Sequence, residues 1–444
     1  MKTALYAGAA TLALTMGAQA QDFVFPKGEG EFNWDSLQAF ADSHDLSGES
    51  LSITGPWTGE DKELVDSVIA YFEDATGATV EYSGSDSFES DFVIAAQAGS
   101  APDMAVFPQP GLMADMARQG NLVALPDGID DWLRENYAAG ESWVSLGSVD
   151  DQMYGFPYKI DVKSLVWYVP EAFEEAGYEV PETMEDLKAL TDQIVEDGGT
   201  PWCIGLGSGA ATGWPATDWV EDMMLRTAPP ETYDQWVANE IPFDDPAVVK
   251  AIEEFGYFAK NEDYVSGGSQ AVASTDFRES PLGLFQFPPE CYMHHQASFI
   301  PTFFPEGTEV GLDADFFYMP AYESEDLGQP VLGAGTLFVR TVENDVTAAF
   351  IEFLQTPIAH ELWMAQSGFL TPYTEANAAV FPSDTQRALN DILTDATTFR
   401  FDGSDLMPGE IGAGAFWTGM VDYVTGAEAD AVAADIQERW SSIQ

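Results

Sequence analysis

Basic side chains are scarce in this chain. Sixteen Lys and Arg stand against 75 Asp and Glu, for a formal charge of −59. The acids are dispersed rather than gathered in a tail. Such a surface repels phosphate backbones and anionic headgroups, which excludes nucleic acid and acidic membranes as partners. Long apolar runs are also missing beyond the first twenty residues, so no membrane span is expected. No Gly-x-Ser-x-Gly elbow, His-Glu-x-x-His pair, phosphate loop or EF-hand loop occurs. The four histidines, His44, His294, His295 and His360, show no metal-ligand spacing, and no cofactor is expected. There are only two cysteines, Cys203 and Cys291. An isolated pair in an exported chain points to a disulfide, closing a long loop. A zinc set with His294 and His295 is the alternative.

What is present begins with an export signal. Lys2 is followed by a mostly apolar run, Ala4 to Met16, and by Ala-Gln-Ala at 18–20. This reads as a secretory signal peptide over residues 1–20. No cysteine follows the run to take a lipid anchor. A hydrophobic content of 45% then argues for a folded globule despite the charge. The length exceeds one comfortable core, so two domains are expected.

Residues 21–48 read as an N-terminal extension with one short helix capped by Asn33. Strand and helix patterns then alternate: "SLSITG", "EDKELVDSVIAYFEDATG", "ATVEYSG", "SFESDFVIAAQAGSAPD", "DMAVFP", "GLMADMARQG". This spacing means βαβ units and a parallel sheet. Downstream, "TPWCIGLGS" reads as a strand entering a glycine-rich loop, and "GWPATDWVEDMMLRT" as a helix with Pro215 in its first turn. "GQPVLGAGTLFVR" reads as a pair of strands, and the tail as helical.

The order of these blocks resembles the family 1 extracellular solute-binding proteins of ABC importers, the maltose-binding-protein-like class, over nearly the whole chain. The carrying segments are "APDMAVFPQPGLMADMARQGNLVALPD", "DDQMYGFPYKIDVKSLVWYVPEAFEEAGYEVPETMEDL", "GAGTLFVRTVENDVTAAFIEFL" and the C-terminal "AFW". Within that family "TPWCIGLGSGAATGWPATDW" and "CYMHHQASFI" resemble the α-glucoside-binding subgroup. The resemblance implies an α/β fold of two lobes, each a mainly parallel sheet flanked by helices, with a hinge crossed three times. The division it implies is 49–159 plus 334–370 for one lobe and 160–333 plus 371–444 for the other. Crossings are expected near Tyr158–Asp161, Pro330–Gly335 and Gly368–Tyr373. It also implies a monomeric periplasmic protein that is not an enzyme and that delivers a sugar to permease subunits. Another polar solute or osmolyte is the alternative ligand. A secreted glycoside hydrolase is the rival class, since acids are plentiful, but with 75 of them any carboxylate pair is uninformative.

A pyranose has an apolar C–H face and a polar hydroxyl rim, so its site needs flat rings beside fixed polar groups. "GWPATDW" supplies both at a helix start: Trp214 is expected to stack and Asp218 to accept hydroxyls, while Trp219 is expected in the core. Trp57 and Thr58 lie at the end of the first strand, where open α/β sheets bind ligands, and Gln109 sits in a similar loop. Lys159, Tyr158 and Trp167 flank the first crossing, with Lys163 read as paired to an acid. Gly333 and Gly335 would let backbone amides face the cleft; between them Ala334 stands where many relatives carry a polar residue. Trp417 matches the aromatic of the family's "AFW". A chain this acidic repels itself, and salt screens that repulsion. Its melting temperature is therefore expected to rise with NaCl; a flat curve would assign the acidity to solubility alone.

Overall fold

Alternating apolar side chains make Ser50–Gly55 (β1) a strand buried on one face, with Leu51, Ile53 and Gly55 inward. The helix Gly59–Thr76 follows, burying Val65, Val68, Ile69 and Phe72. It stops at Gly77, whose φ of 75° is left-handed and free of cost only for glycine. The computed structural model describes residues 23–138, 140–366, 368–395 and 398–443, without the side chains of 394 and 395. The expected signal peptide lies outside them.

Ten more strands follow: Thr79–Gly84 (β2), Met104–Phe107 (β3), Ser148–Val149 (β4), Gln152–Met153 (β5), Gly155–Val162 (β6), Leu165–Tyr168 (β7), His294–His295 (β8), Asp315–Tyr318 (β9), Pro330–Arg340 (β10) and Thr398–Phe401 (β11). The larger sheet runs β11-β10-β3-β1-β2, with β6 also on β10. β1 pairs in parallel with β2 and β3, as the βαβ pattern requires. The segment expected to be two strands is the single strand β10, buried at every residue. It pairs with β3 at its far end, β11 at its start and β6 along most of its length. β6 and β10 therefore carry the chain between the lobes.

The second lobe departs from the mainly parallel sheet expected. Its strands β8-β7-β9 are short and antiparallel, under a core built on the helices Met184–Glu196, Trp214–Thr227, Pro246–Ala259 and Ala429–Ile443. "TPWCIGLGS" forms no strand but only single bridges at Trp202 and Gly207. Gly205 and Gly207 press on the Thr275–Asp276 backbone, where an added Cβ would lie 2.8 or 2.9 Å from the Thr275 carbonyl.

Two further differences concern the ends. Asn33 precedes the helix Trp34–Ser43, but its side chain makes no capping bond; its backbone N–H donates to Glu361 instead (2.6 Å). At the expected third crossing, Gly368–Tyr373, the chain is in contact with first-lobe residues. Tyr373 still packs on Trp132, Tyr137 and His360 of the first lobe. The chain joins the second core only after β11, through Met407, Ile411 and Phe416.

Cys203 and Cys291 form a disulfide across 88 residues, with Cα atoms 5.5 Å apart. His294 hydrogen-bonds the Cys203 carbonyl and His295 bonds Asp222. Both histidines are buried, and among the described residues no His, Cys, Asp and Glu group could hold a metal. A loop of this length constrains the unfolded chain by about 4.5 kcal/mol on the chain-entropy model. The double variant Cys203→Ser/Cys291→Ser is expected to lose stability of that order in urea unfolding; an unchanged midpoint would deny the bond that role.

Candidate functional site

The strand β6 is buried on both faces, and its side chains alternate. Lys159, Asp161 and, just beyond its end, Lys163 point to one side, into a cavity of about 160 Å³ between the lobes. Tyr158 points the other way. It is packed among Phe338, His360 and Phe369, with its hydroxyl donating to the Ala359 carbonyl. Trp167 is likewise core, its indole N–H donating to Gln296 (2.9 Å). Neither touches the cavity, so both depart from the cleft role expected of them.

The helix Trp214–Thr227 supplies the facing wall. It starts at Gly213 (φ 118°), against the Trp417 backbone, where a Cβ would lie 2.2 Å from the Trp417 carbonyl oxygen. Only glycine fits there, and the helix start is thereby pinned to Trp417. Trp214 and Asp218, one turn apart, both line the cavity. Trp214 is half-buried and packs edge-on to Phe277 (5.0 Å) and near Phe299 (6.1 Å). Trp219 is core, against Trp202 and Phe258.

One ammonium organises the floor. Lys163 Nζ donates to Asp218 Oδ1 (2.7 Å) and to Asp402, and lies 5.4 Å from the Trp214 ring centroid. Asp402 in turn accepts from the Ser404 hydroxyl and the Asp405 N–H (both 2.8 Å). Glu221 accepts the Gly403 and Ser404 N–H groups (both 2.9 Å). Burial opposes the charge on Lys163, but Asp218 and Asp402 outweigh it and hold its pKa well above the usual range. Burial raises Asp218 well above the carboxylate range in spite of Lys163. Asp402 goes the other way: burial is overcome by Lys163 and two further hydrogen-bond donors, the Asp405 N–H and the Ser404 hydroxyl, and its pKa is lowered. Lys159 is paired with both oxygens of Asp161 (2.8 Å each), beneath the Phe299 ring (5.1 Å).

Of the residues singled out in the sequence, Trp57, Gln109, Lys159, Trp214, Asp218, Gly335 and Trp417 line the cavity together. Trp57 is mostly buried there, edge-on to Trp363 (4.9 Å). Ala334 lines it too. Thr58 does not line it; its hydroxyl donates to Asp86 (3.0 Å), which does. Gly333 lies off the cavity, covered by the Phe399 ring. The sequence reading missed Asp61, Phe277, Arg278, Phe299, Asp402 and Asp405, all of which line it. Only "KIDVK" held a usable signal, its charges at every second residue marking one face of a strand. Three of the lining residues each hold a buried polar atom without a hydrogen-bond partner: Gln109 Oε1, Asp218 Oδ2 and Trp417 Nε1. Buried polar atoms are rarely left so, and here three belong to residues around one cavity.

Asp61, in the first turn of its helix, is raised by burial from 3.8 to about 6, with Asp161 and Glu60 adding to the shift and Lys159 and Arg278 opposing it. In the fold it keeps its proton up to about pH 6, whereas the unfolded chain loses it near 3.8. Stability is therefore lost as pH rises through that interval, and the deficit persists above it. Asp61→Asn is expected to melt with the wild type below pH 4 and above it at pH 7; equal melting temperatures at both would refute the shift.

Residues 55–279 match the family profile described as bacterial extracellular solute-binding protein. The chain is 62% identical to the alpha-glucosides-binding periplasmic protein AglE of Rhizobium meliloti (strain 1021), over 100% of both chains. It is 42% identical to the osmoprotective compounds-binding protein GgtB of Synechocystis sp., over 88% of this chain and 92% of that one. Among solved structures, the bacterial solute receptor AcbH superposes with a TM-score of 0.77 at 18% identity, covering 89% of this chain and 100% of its own. Maltose-bound T. maritima MalE3 superposes at 0.70 with 13% identity, covering 89% and 100%. At such identities the superpositions speak for the fold alone, and they agree with two α/β lobes around a cleft. The profile match and the full-length relative place the chain in a family of binding proteins, not enzymes: it belongs to the bacterial extracellular solute-binding proteins.

Proposed function

We propose that the chain captures an α-glucoside of the maltose, trehalose or sucrose type in the interlobe cleft and delivers it in the periplasm to the permease of an ABC importer. The observation that carries this reading is the trio of unpartnered buried atoms beside an aromatic wall. Gln109 Oε1 can accept from a sugar hydroxyl, Trp417 Nε1 can donate to one, and Asp218 Oδ2, on a carboxyl whose pKa burial raises, can donate when protonated and accept when not. Trp214 offers a half-buried ring for the C–H face, and Lys159, Trp57 and Gly335 border the same space. The relative at 62% identity, named for alpha-glucosides, supports the sugar class.

A neutral polyhydroxylated osmolyte is the second reading, favoured by the relative named for osmoprotective compounds. It would use the same atoms. A quaternary ammonium compound fits less well, because Lys163 already lies near the Trp214 ring and Lys159 near Phe299. A second cation there would face two fixed ammonium groups. A hydrolytic carboxylate pair is no better served, since Asp218 and Asp402 are both engaged by Lys163.

Intrinsic tryptophan fluorescence titrated with glucose, maltose, trehalose, sucrose, palatinose and glycine betaine tests the proposal. A saturable change with an α-glucoside, and no released product, is expected. Trp214→Ala should weaken binding at least about thirtyfold, as for a central aromatic anchor. Silence toward every α-glucoside would refute the ligand class, and a response to betaine alone would replace it.

A further inference from the structure

The loops at the cleft mouth meet through one guanidinium. Arg278 belongs to the second lobe, where the neighbouring Thr275–Asp276 backbone packs on Gly205 and Gly207. Its own lobe holds it in place. Its backbone N–H donates to Asp276 Oδ1 (2.9 Å), its guanidinium lies 3.6 Å from Asp276 Oδ2, and the planar group sits over Phe277 (4.4 Å) and near Phe303 (5.7 Å). From there Nη2 reaches across to the first lobe. It donates to Asp86 Oδ1 (2.6 Å), in the loop after β2, and to Thr58 Oγ1 (3.3 Å), in the loop after β1. Thr58 in turn donates to Asp86 (3.0 Å), closing a three-membered knot. Gly209 of the second lobe also abuts Asp86: a Cβ there would lie 3.2 Å from the Asp86 Cβ. Arg278 and Asp86 both border the cavity.

We infer that Arg278 is a positioning residue for ligand retention, clasping the two lobes over the bound solute through Asp86 and Thr58. The inference rests on the ligand-binding reading above and adds to it a determinant of release. Contacts between Arg278 and Asp86 exist only while the lobes are together, so their free energy acts wholly on that side of the open–closed equilibrium. An exposed pair contributes little to folding, and Asp86 is nearly half exposed (46%). A ligand held under the clasp, however, must wait for it to part, and such differences appear in the dissociation rate. Arginine suits the task better than lysine, because its plane rests on Phe277 while one nitrogen, Nη2, serves both Asp86 and Thr58. The exposure also makes the clasp sensitive to salt.

The test is a double-mutant cycle on the full chain, using Arg278→Gln, Asp86→Asn and the pair. The sugar is the α-glucoside that gives the largest fluorescence change, and dissociation is followed by stopped flow. At about 0.05 M NaCl each single variant is expected to release ligand about three- to tenfold faster, the size of one partly exposed charge pair. The double variant should be no faster than the worse single one. The wild type should approach the variants at about 1 M NaCl, where screening reaches ~3 Å. Melting temperatures near the wild-type value show that the fold is intact. If the two single effects multiply, each side chain acts on the ligand separately and the clasp is overturned; it is equally overturned if neither variant changes the rate. Should the wild type bind no sugar at all, the ligand reading fails, and small-angle X-ray scattering then decides the clasp. At low salt Arg278→Gln should scatter as a more extended particle than the wild type, and identical profiles would overturn it.

Discussion

A single buried ammonium holds the working parts of this protein together. Lys163 stands where β6 has just carried the chain into the second lobe, and its Nζ ties that point to two segments far away in sequence. Asp218 and the Trp214 ring come from one helix at the cleft wall, and Asp402 from the loop after β11. Placing a charge out of water is costly, and an ion pair recovers that cost only with good geometry and further hydrogen bonds. Both conditions are met, since Asp402 is also held by Ser404 and Asp405. Once Lys163 is set, the orientation of Asp218 follows. One oxygen is spent on the lysine and the other is left without a hydrogen-bond partner.

The site therefore divides its polar groups by task. Lys159, Asp161, Lys163 and Asp402 are engaged with one another and keep the lining in place. Gln109, Asp218 and Trp417 each hold a buried atom without a hydrogen-bond partner. Around them the rings of Trp214, Phe277 and Phe299 meet at steep angles, which leaves one broad apolar wall. A neutral polyhydroxylated solute satisfies the spare atoms without bringing a charge of its own. Most of the surplus of acid lies outside this cavity, where a high net charge favours solubility.

The local features were legible from residue types. The βαβ run from Ser50 onward, the stop at Gly77, and the helix start at Trp214 with Pro215 behind it all follow from short-range rules and appear as expected. So did Trp219, whose neighbours in sequence already placed it on the inner face of its helix. Tyr158 and Trp167 were misplaced because an aromatic beside a hinge serves a cleft or a core equally well. Only the phase of the strand separates the two, and β6 turns Lys159 to the cavity and Tyr158 away from it. Asp61, Asp402 and Asp405 could not be picked out, since in a chain with 75 acids no single carboxylate is conspicuous.

The sequence by itself determined the class of fold, the export-like opening, the acidic surface and the pairing of flat rings with a carboxylate at one helix start. Those depend on composition, on periodicity and on residues within a few positions of one another. Tertiary structure alone decided which carboxylates face the cavity, which of their oxygens remain free, and that Arg278 meets Asp86 across a separation of 192 residues. Such contacts are made by side chains from different elements. Their geometry exists only after β6 and β10 have brought the two lobes to opposite sides of one cleft.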